Sequence, residues 1–102
     1  MNSTVNWSGH LFEVCNKNSN WSNVPGIYIF TGLNAAGKWR PFYIGQAQSL
    51  SDRIPNHEQW AAAVRLGATH VHAKVVQQAA TRDSIEKELI QAYQPALNVQ
   101  LK

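Results

Sequence analysis

Thiol chemistry is nearly absent from this chain: Cys15 is the only cysteine in 102 residues. One thiol closes no intramolecular disulfide and builds no cysteine-based zinc site, and it suits a reducing compartment. There is no run of about 18 apolar residues, so no membrane-spanning helix is expected. The N-terminal "MNSTVNWSGHLFEVCNKNSNW" lacks a basic start followed by an apolar block, which argues against a signal peptide. The Asn-x-Ser/Thr triplets at Asn2, Asn6 and Asn20 are therefore read as chance. Acidic residues are also few, six against nine Lys and Arg, giving a net charge of +3. A mildly basic small domain is compatible with a nucleic-acid partner. Its basic residues are scattered from Lys17 to Lys102 without a run, so the fold must assemble any phosphate-binding surface.

What is present fits one globular domain, with 44% hydrophobic and 15% charged residues arguing against disorder. Residues 1–24 are rich in Asn and Ser and read as a loosely structured arm with one short strand or turn at "HLFEV". "GIYIFT" after Pro25 is β-branched and aromatic, a strand pattern. "GLNAAGK" is turn chemistry, and "WRPFYIGQA" returns as a second strand to close an antiparallel hairpin. "SLSDRIPNHEQWAAAVRLG" predicts an interrupted helix. Ser49 or Ser51 caps it, Pro55 breaks it, and a second piece over about 55–66 ends at Gly67. "THVHAKVV" alternates, with Val71, Ala73 and Val75 on one face and His70, His72 and Lys74 on the other, a solvent-facing one. "TRDSIEKELIQAYQPALN" predicts a helix capped by Thr81, striped by Ile85, Leu89, Ile90 and Tyr93, and ended by Pro95. The expected architecture is α/β (α+β). A small three-stranded, mainly antiparallel sheet is flanked by helices in the order β-β-α-α-β-α, over residues 25–102.

The hairpin carries two near-mirror tripeptides, Gly26-Ile27-Tyr28 and Tyr43-Ile44-Gly45. Arg53 follows ten residues after Tyr43, and His57 four residues after Arg53. "EKELIQAYQPALN" then supplies Glu86, Leu89, Ile90, Pro95 and Asn98. This ordered set resembles the signature of the GIY-YIG nucleases over residues 25–98, and His57 matches the phage intron homing members of that family. The resemblance implies a metal-dependent endonuclease that hydrolyses phosphodiester bonds in DNA. It further implies Mg²⁺ or Mn²⁺ at Glu86, with Tyr28, Tyr43, Arg53, His57 and Glu86 as the catalytic set. Gly26, Gly45 and Asn98 would support that set.

The residue types suit the chemistry. A carboxylate is a hard ligand for Mg²⁺. A guanidinium grips two phosphate oxygens through its planar fork. A tyrosine, with a pKa of about 10, becomes a usable base only beside a cation. Tyr43 is read as the base, Tyr28 as its orienting partner, and His57 as a proton relay or substrate contact. Glu88 competes with Glu86 as ligand, and the Glu-x-x-Leu-Ile register favours Glu86. His70 and His72 lack an evident third metal ligand. Trp39 and Arg40 at the hairpin tip, Gln46 and Lys74 are the expected substrate contacts. Gln46 stands where excision-repair members of the family commonly carry lysine. Met1 and a motif complete to Asn98 suggest a whole small protein, intracellular and cytoplasmic. Specificity would then be low, or shape-based, or supplied by a homodimer or a protein partner. The alternative is a binding module that keeps the nuclease fold without the chemistry.

Overall fold

The computed structural model describes residues 3–98; Met1, Asn2 and residues 99–102 of the expected nuclease region lie outside the described residues. Among the described residues, five strands form one antiparallel sheet: β1 (Thr4–Trp7), β2 (His10–Cys15), β3 (Gly26–Leu33), β4 (Trp39–Ala47) and β5 (His70–Val75). Their spatial order is β1-β2-β5-β3-β4. The helices are α1 (Leu50–Arg53), α2 (Trp60–Leu66) and α3 (Ala79–Tyr93), and a 3₁₀ turn covers Ala96–Asn98. The expected class and the order from residue 25 onward are found. The expected three strands are five, because the N-terminal arm is a hairpin that pairs with β5. Its signal was Ser8-Gly9 between two apolar islands. Both residues take positive φ, 52° and 91°, as the two-residue hairpin turns that match strand twist require.

The sheet is covered on both faces. Ile27, Ile29 and Ile44 pack with Trp7, Phe12, Val76, and Ile85 and Leu89 of α3. Tyr28, Phe30, Phe42 and Val71 pack on the other face with Leu50, Ile54, Ala63 and Ala68 from the α1–α2 stretch. Coverage on both sides explains why "GIYIFT" is apolar throughout rather than alternating. It also corrects the reading of His70 and His72 as a solvent-facing pair. His72 is fully buried, its Nδ1 accepting from Trp7 Nε1 at 3.0 Å, and its ring stands nearly perpendicular to Trp39 at 4.6 Å. Two boundaries differ as well. The second helix starts at Trp60 rather than near Pro55, and α3 is capped at Gln78 rather than Thr81, whose hydroxyl donates to the Gln78 side chain. Among the described residues no helix is long and apolar enough to cross a membrane.

The buried imidazoles make stability depend on pH. Burial pushes His72 down to about 4, and burial followed by Arg53 does the same to His57. In the unfolded chain both titrate near 6.5. Between those values the unfolded state binds more protons, so stability falls as pH drops from about 6.5 to about 4. The slope is at most about 1.4 kcal/mol per pH unit for each ring. Thermal melts at pH 7.5 and pH 5 should differ by several degrees, and His72→Asn, which keeps an acceptor for Trp7, should shrink that difference. Equal melts for the wild-type chain would overturn the assignment.

Candidate active site

Tyr28 sits on β3 between β4 and β5, with its side chain on the α1–α2 face and 1% exposed. It lies opposite Gly45 on β4. A Cβ at Gly45 would stand 2.6 Å from Tyr28 Oη and 2.9 Å from the Tyr43 ring, so only glycine lets the hydroxyl pass over the strand. A Cβ at Gly26 would stand 2.5 Å from the Lys74 carbonyl oxygen, which sets how closely β5 approaches. Tyr43 is half-buried on the edge strand β4, and its ring is 6.3 Å from that of Tyr28. Asn98 holds this edge. Its side-chain amide donates to the Ile44 carbonyl at 2.8 Å and accepts from the Ile44 N–H at 2.6 Å, fixing the backbone between Tyr43 and Gly45.

Pro55 ends α1 and lets the chain fold back, which carries His57 into the protein. His57 Nε2 is 2.8 Å from Tyr28 Oη, and the ring is 5.0 Å from that of Tyr43. The Gln59 backbone N–H donates to His57 Nδ1 at 3.0 Å. Nδ1 is therefore the acceptor of a neutral imidazole, and Nε2 carries the proton and donates it to Tyr28 Oη. This geometry makes His57 a donor that holds Tyr28, and it gives no support to a ring that takes a proton from it.

Arg53 closes α1. Its two terminal nitrogens each donate to a Glu58 carboxylate oxygen at 2.7 Å. That pairing holds the Glu58 carboxyl down at about 2. Both tyrosines titrate above the ordinary phenol range. Burial is the main cause for each, and Arg53 pulls the other way without prevailing. The expectation that a nearby cation makes a phenolate accessible thus holds for Arg53 in direction only.

Glu86 projects from α3 half-buried, and its Oε1 accepts from Gln46 Nε2 at 2.8 Å. The same Gln46 nitrogen donates to Asp83 Oδ1 at 2.6 Å, so one amide bridges two carboxylates a helical turn apart. The charge of Glu86 is felt at Tyr43. Glu88 turns away and meets His10 at 3.2 Å. No group of three or more His, Cys, Asp or Glu is placed to hold a metal among the described residues. One half-buried carboxylate with room for water fits Mg²⁺, which keeps much of its hydration, and does not fit a metal that needs an all-protein cage.

The structure thus gathers Tyr28, Tyr43, Arg53 and His57, with Gln46 and Glu86 on the α3 flank. Three expected substrate contacts stand apart. Trp39 packs against His70 and His72 on the opposite face, and the exposed Arg40 lies over the Phe42 ring. Lys74 lines a groove of about 460 Å³ along β2. None of the three is hydrogen-bonded or ring-stacked with the tyrosines. Sequence reasoning missed Glu58 and Asp83. Glu58 pairs across a proline break, where helical spacing gives no guide. Asp83 precedes Glu86 by three residues on one helix face, which is a readable signal.

No family model matches the chain. The curated UvrABC system protein C of Thermotoga maritima is 35% identical over 82 residues, which are 76% of this chain and 14% of that protein. The chain therefore spans about a seventh of that relative's length. Among solved structures, the GIY-YIG N-terminal endonuclease domain of UvrC from the same organism, bound to its catalytic divalent cation magnesium, is 30% identical with a TM-score of 0.64. That match covers 78% of this chain and 89% of that domain. A point mutant of that domain with its catalytic divalent cation is 28% identical at the same TM-score of 0.64, covering 79% and 89%.

Proposed function

Since this chain belongs to the GIY-YIG nuclease family, we propose that it is a divalent-metal-dependent endonuclease hydrolysing phosphodiester bonds in DNA. The observation that carries this is the convergence of two tyrosines, a histidine and an arginine on one sheet face, with Glu86 on the flank beside Tyr43. On this reading residues 25–98 are the catalytic unit, and the N-terminal hairpin braces α3 through Trp7 on Tyr93 and His10 on Glu88.

Glu86 would hold Mg²⁺ or Mn²⁺. When bound, the cation supplies Lewis acidity for the charge that develops on the phosphate and favours ionisation of a nearby phenol. Tyr43 is the half-buried phenol at which the charge of Glu86 is felt, and it takes the proton of the attacking water. Tyr28, whose oxygen already accepts from His57, has its own O–H left to orient that water. Arg53 grips two phosphate oxygens. Gln46 keeps Glu86 in place through the bridge to Asp83, a task of positioning that a lysine would perform by charge. An intracellular, cytoplasmic location goes with a DNA substrate. A second copy or a protein partner would supply specificity, because phosphate contacts alone carry none.

The test is cleavage of labelled single-stranded, duplex and branched DNA by the purified chain in Mg²⁺, Mn²⁺ or EDTA. Cutting is expected with either cation and should fall to background in EDTA. Tight binding with no cutting under any condition would replace the enzyme with a non-catalytic binding module.

A further inference from the structure

On the reading that Arg53 grips the scissile phosphate, we propose that Glu58 is an internal stand-in for that phosphate, which DNA must displace before it can bind productively. The bidentate pair places two carboxylate oxygens on the two terminal guanidinium nitrogens, both at 2.7 Å. This is the fork-to-fork geometry by which arginine also holds two phosphate oxygens. Glu58 fills the end-on face made by the two terminal nitrogens, so carboxylate and phosphate exclude each other on that face.

The surroundings make the exchange feasible. The Glu58 side chain is 64% exposed and can swing without disturbing the core, whereas Arg53, 39% exposed, is also held by the buried Tyr28. The neighbouring His57 is held by Tyr28 and by the Gln59 N–H, and Lys17 donates to the Pro55 carbonyl at 2.9 Å. The backbone around Glu58 is therefore anchored, and release is confined to the Glu58 side chain. Arg53 also lines an open groove of about 500 Å³ with Asn23, Gln48, Ser49 and Asp52, where a sugar–phosphate backbone would run beside it. With Glu58 in place the arginine is masked in the free protein, which restrains it from capturing phosphates indiscriminately.

Displacement leaves a thermodynamic mark. When DNA replaces Glu58 on Arg53, one ion pair is exchanged for another, and that contact contributes little to counterion release. With Glu58 neutralised, Arg53 forms its phosphate contact from solution, and the slope of log K against log salt should steepen by about 0.7 on a single strand.

The experiment measures fluorescence anisotropy of a labelled single-stranded oligonucleotide in EDTA across a salt series. Wild type is compared with Glu58→Gln, Arg53→Ala and the double variant, each checked by circular dichroism. Glu58→Gln should bind about three- to tenfold more tightly, with the steeper slope, and the gain should vanish in the Arg53→Ala background. In cleavage, KM should fall and kcat should not. A gain that persists without Arg53 would reduce Glu58 to a diffuse charge effect and overturn the proposal. Unchanged or weaker binding, or a fall in kcat alone, would make Glu58 a support for Arg53 and overturn it equally. No oligonucleotide binding by any variant would overturn both the stand-in and the phosphate-gripping role beneath it. Tighter binding by Glu58→Gln with no cutting on any substrate would fail the nuclease reading and leave the stand-in upheld.

Discussion

Glu86→Ala is expected to lower metal-dependent DNA cutting by about 10³-fold or more, while Glu88→Ala stays within a few-fold of wild type. The expectation rests on placement. Among the carboxylates of α3, only Glu86 is tied to Gln46 while its charge is felt at Tyr43, whereas Glu88 is engaged with His10 on another side of the helix. With no cluster of three ligating side chains among the described residues, the protein has little else to hold a hard cation. Losing a cation that stabilises transition-state charge forfeits several kcal/mol, and each ~1.4 kcal/mol is tenfold in rate. The fold should survive, since Glu86 lies outside both apolar clusters. Mn²⁺ binding followed by electron paramagnetic resonance should weaken in parallel with the rate. Cutting that survives Glu86→Ala and disappears in Asp83→Ala would move the ligand one turn toward the start of α3.

The site was largely legible because its residues sit at short, fixed spacings on elements with strong patterns. Two apolar strands around a glycine-rich turn make the hairpin readable, and the register shift between Phe30 and Thr31 then sets Tyr28 and Tyr43 on one face. Arg53 and His57 follow within a few residues of the second strand. The remainder depended on contacts far apart in sequence. Alternation over 70–75 separates the two faces of β5 and cannot say which is wet. Trp7, 65 positions away, decides it by burying His72. Trp39 was expected to meet substrate, and its partners His70 and His72 come from another strand. The hairpin of β1 and β2 was signalled by Ser8-Gly9, but four- and six-residue strands rich in polar side chains make a weak pattern. Glu58 escaped notice because Pro55 removes the helical register that would have paired it with Arg53.

Tyr43→Phe should cost about 10²–10⁴-fold in kcat, the usual worth of a positioned general base, and should also remove the alkaline rise of the rate. Burial raises the Tyr43 phenol above its ordinary value, Arg53 lowers it, and Glu58 and Glu86 raise it. If the deprotonated form takes the proton from water, the active fraction at neutral pH is small and grows tenfold per pH unit below the pKa. The wild-type kcat/KM should then climb from about pH 7 with a slope near one on logarithmic axes. Starting at pH 7 keeps clear of the acid range where the buried histidines weaken the fold. Tyr28→Phe should behave differently. Its oxygen accepts from His57 Nε2 at 2.8 Å and is buried, so its loss orphans a buried N–H and loosens the water without removing the base. The rate should drop and the alkaline rise should remain. A rise kept by Tyr43→Phe and abolished by Tyr28→Phe would exchange the two roles, and would require Tyr28, the more deeply buried phenol, to be the one that ionises.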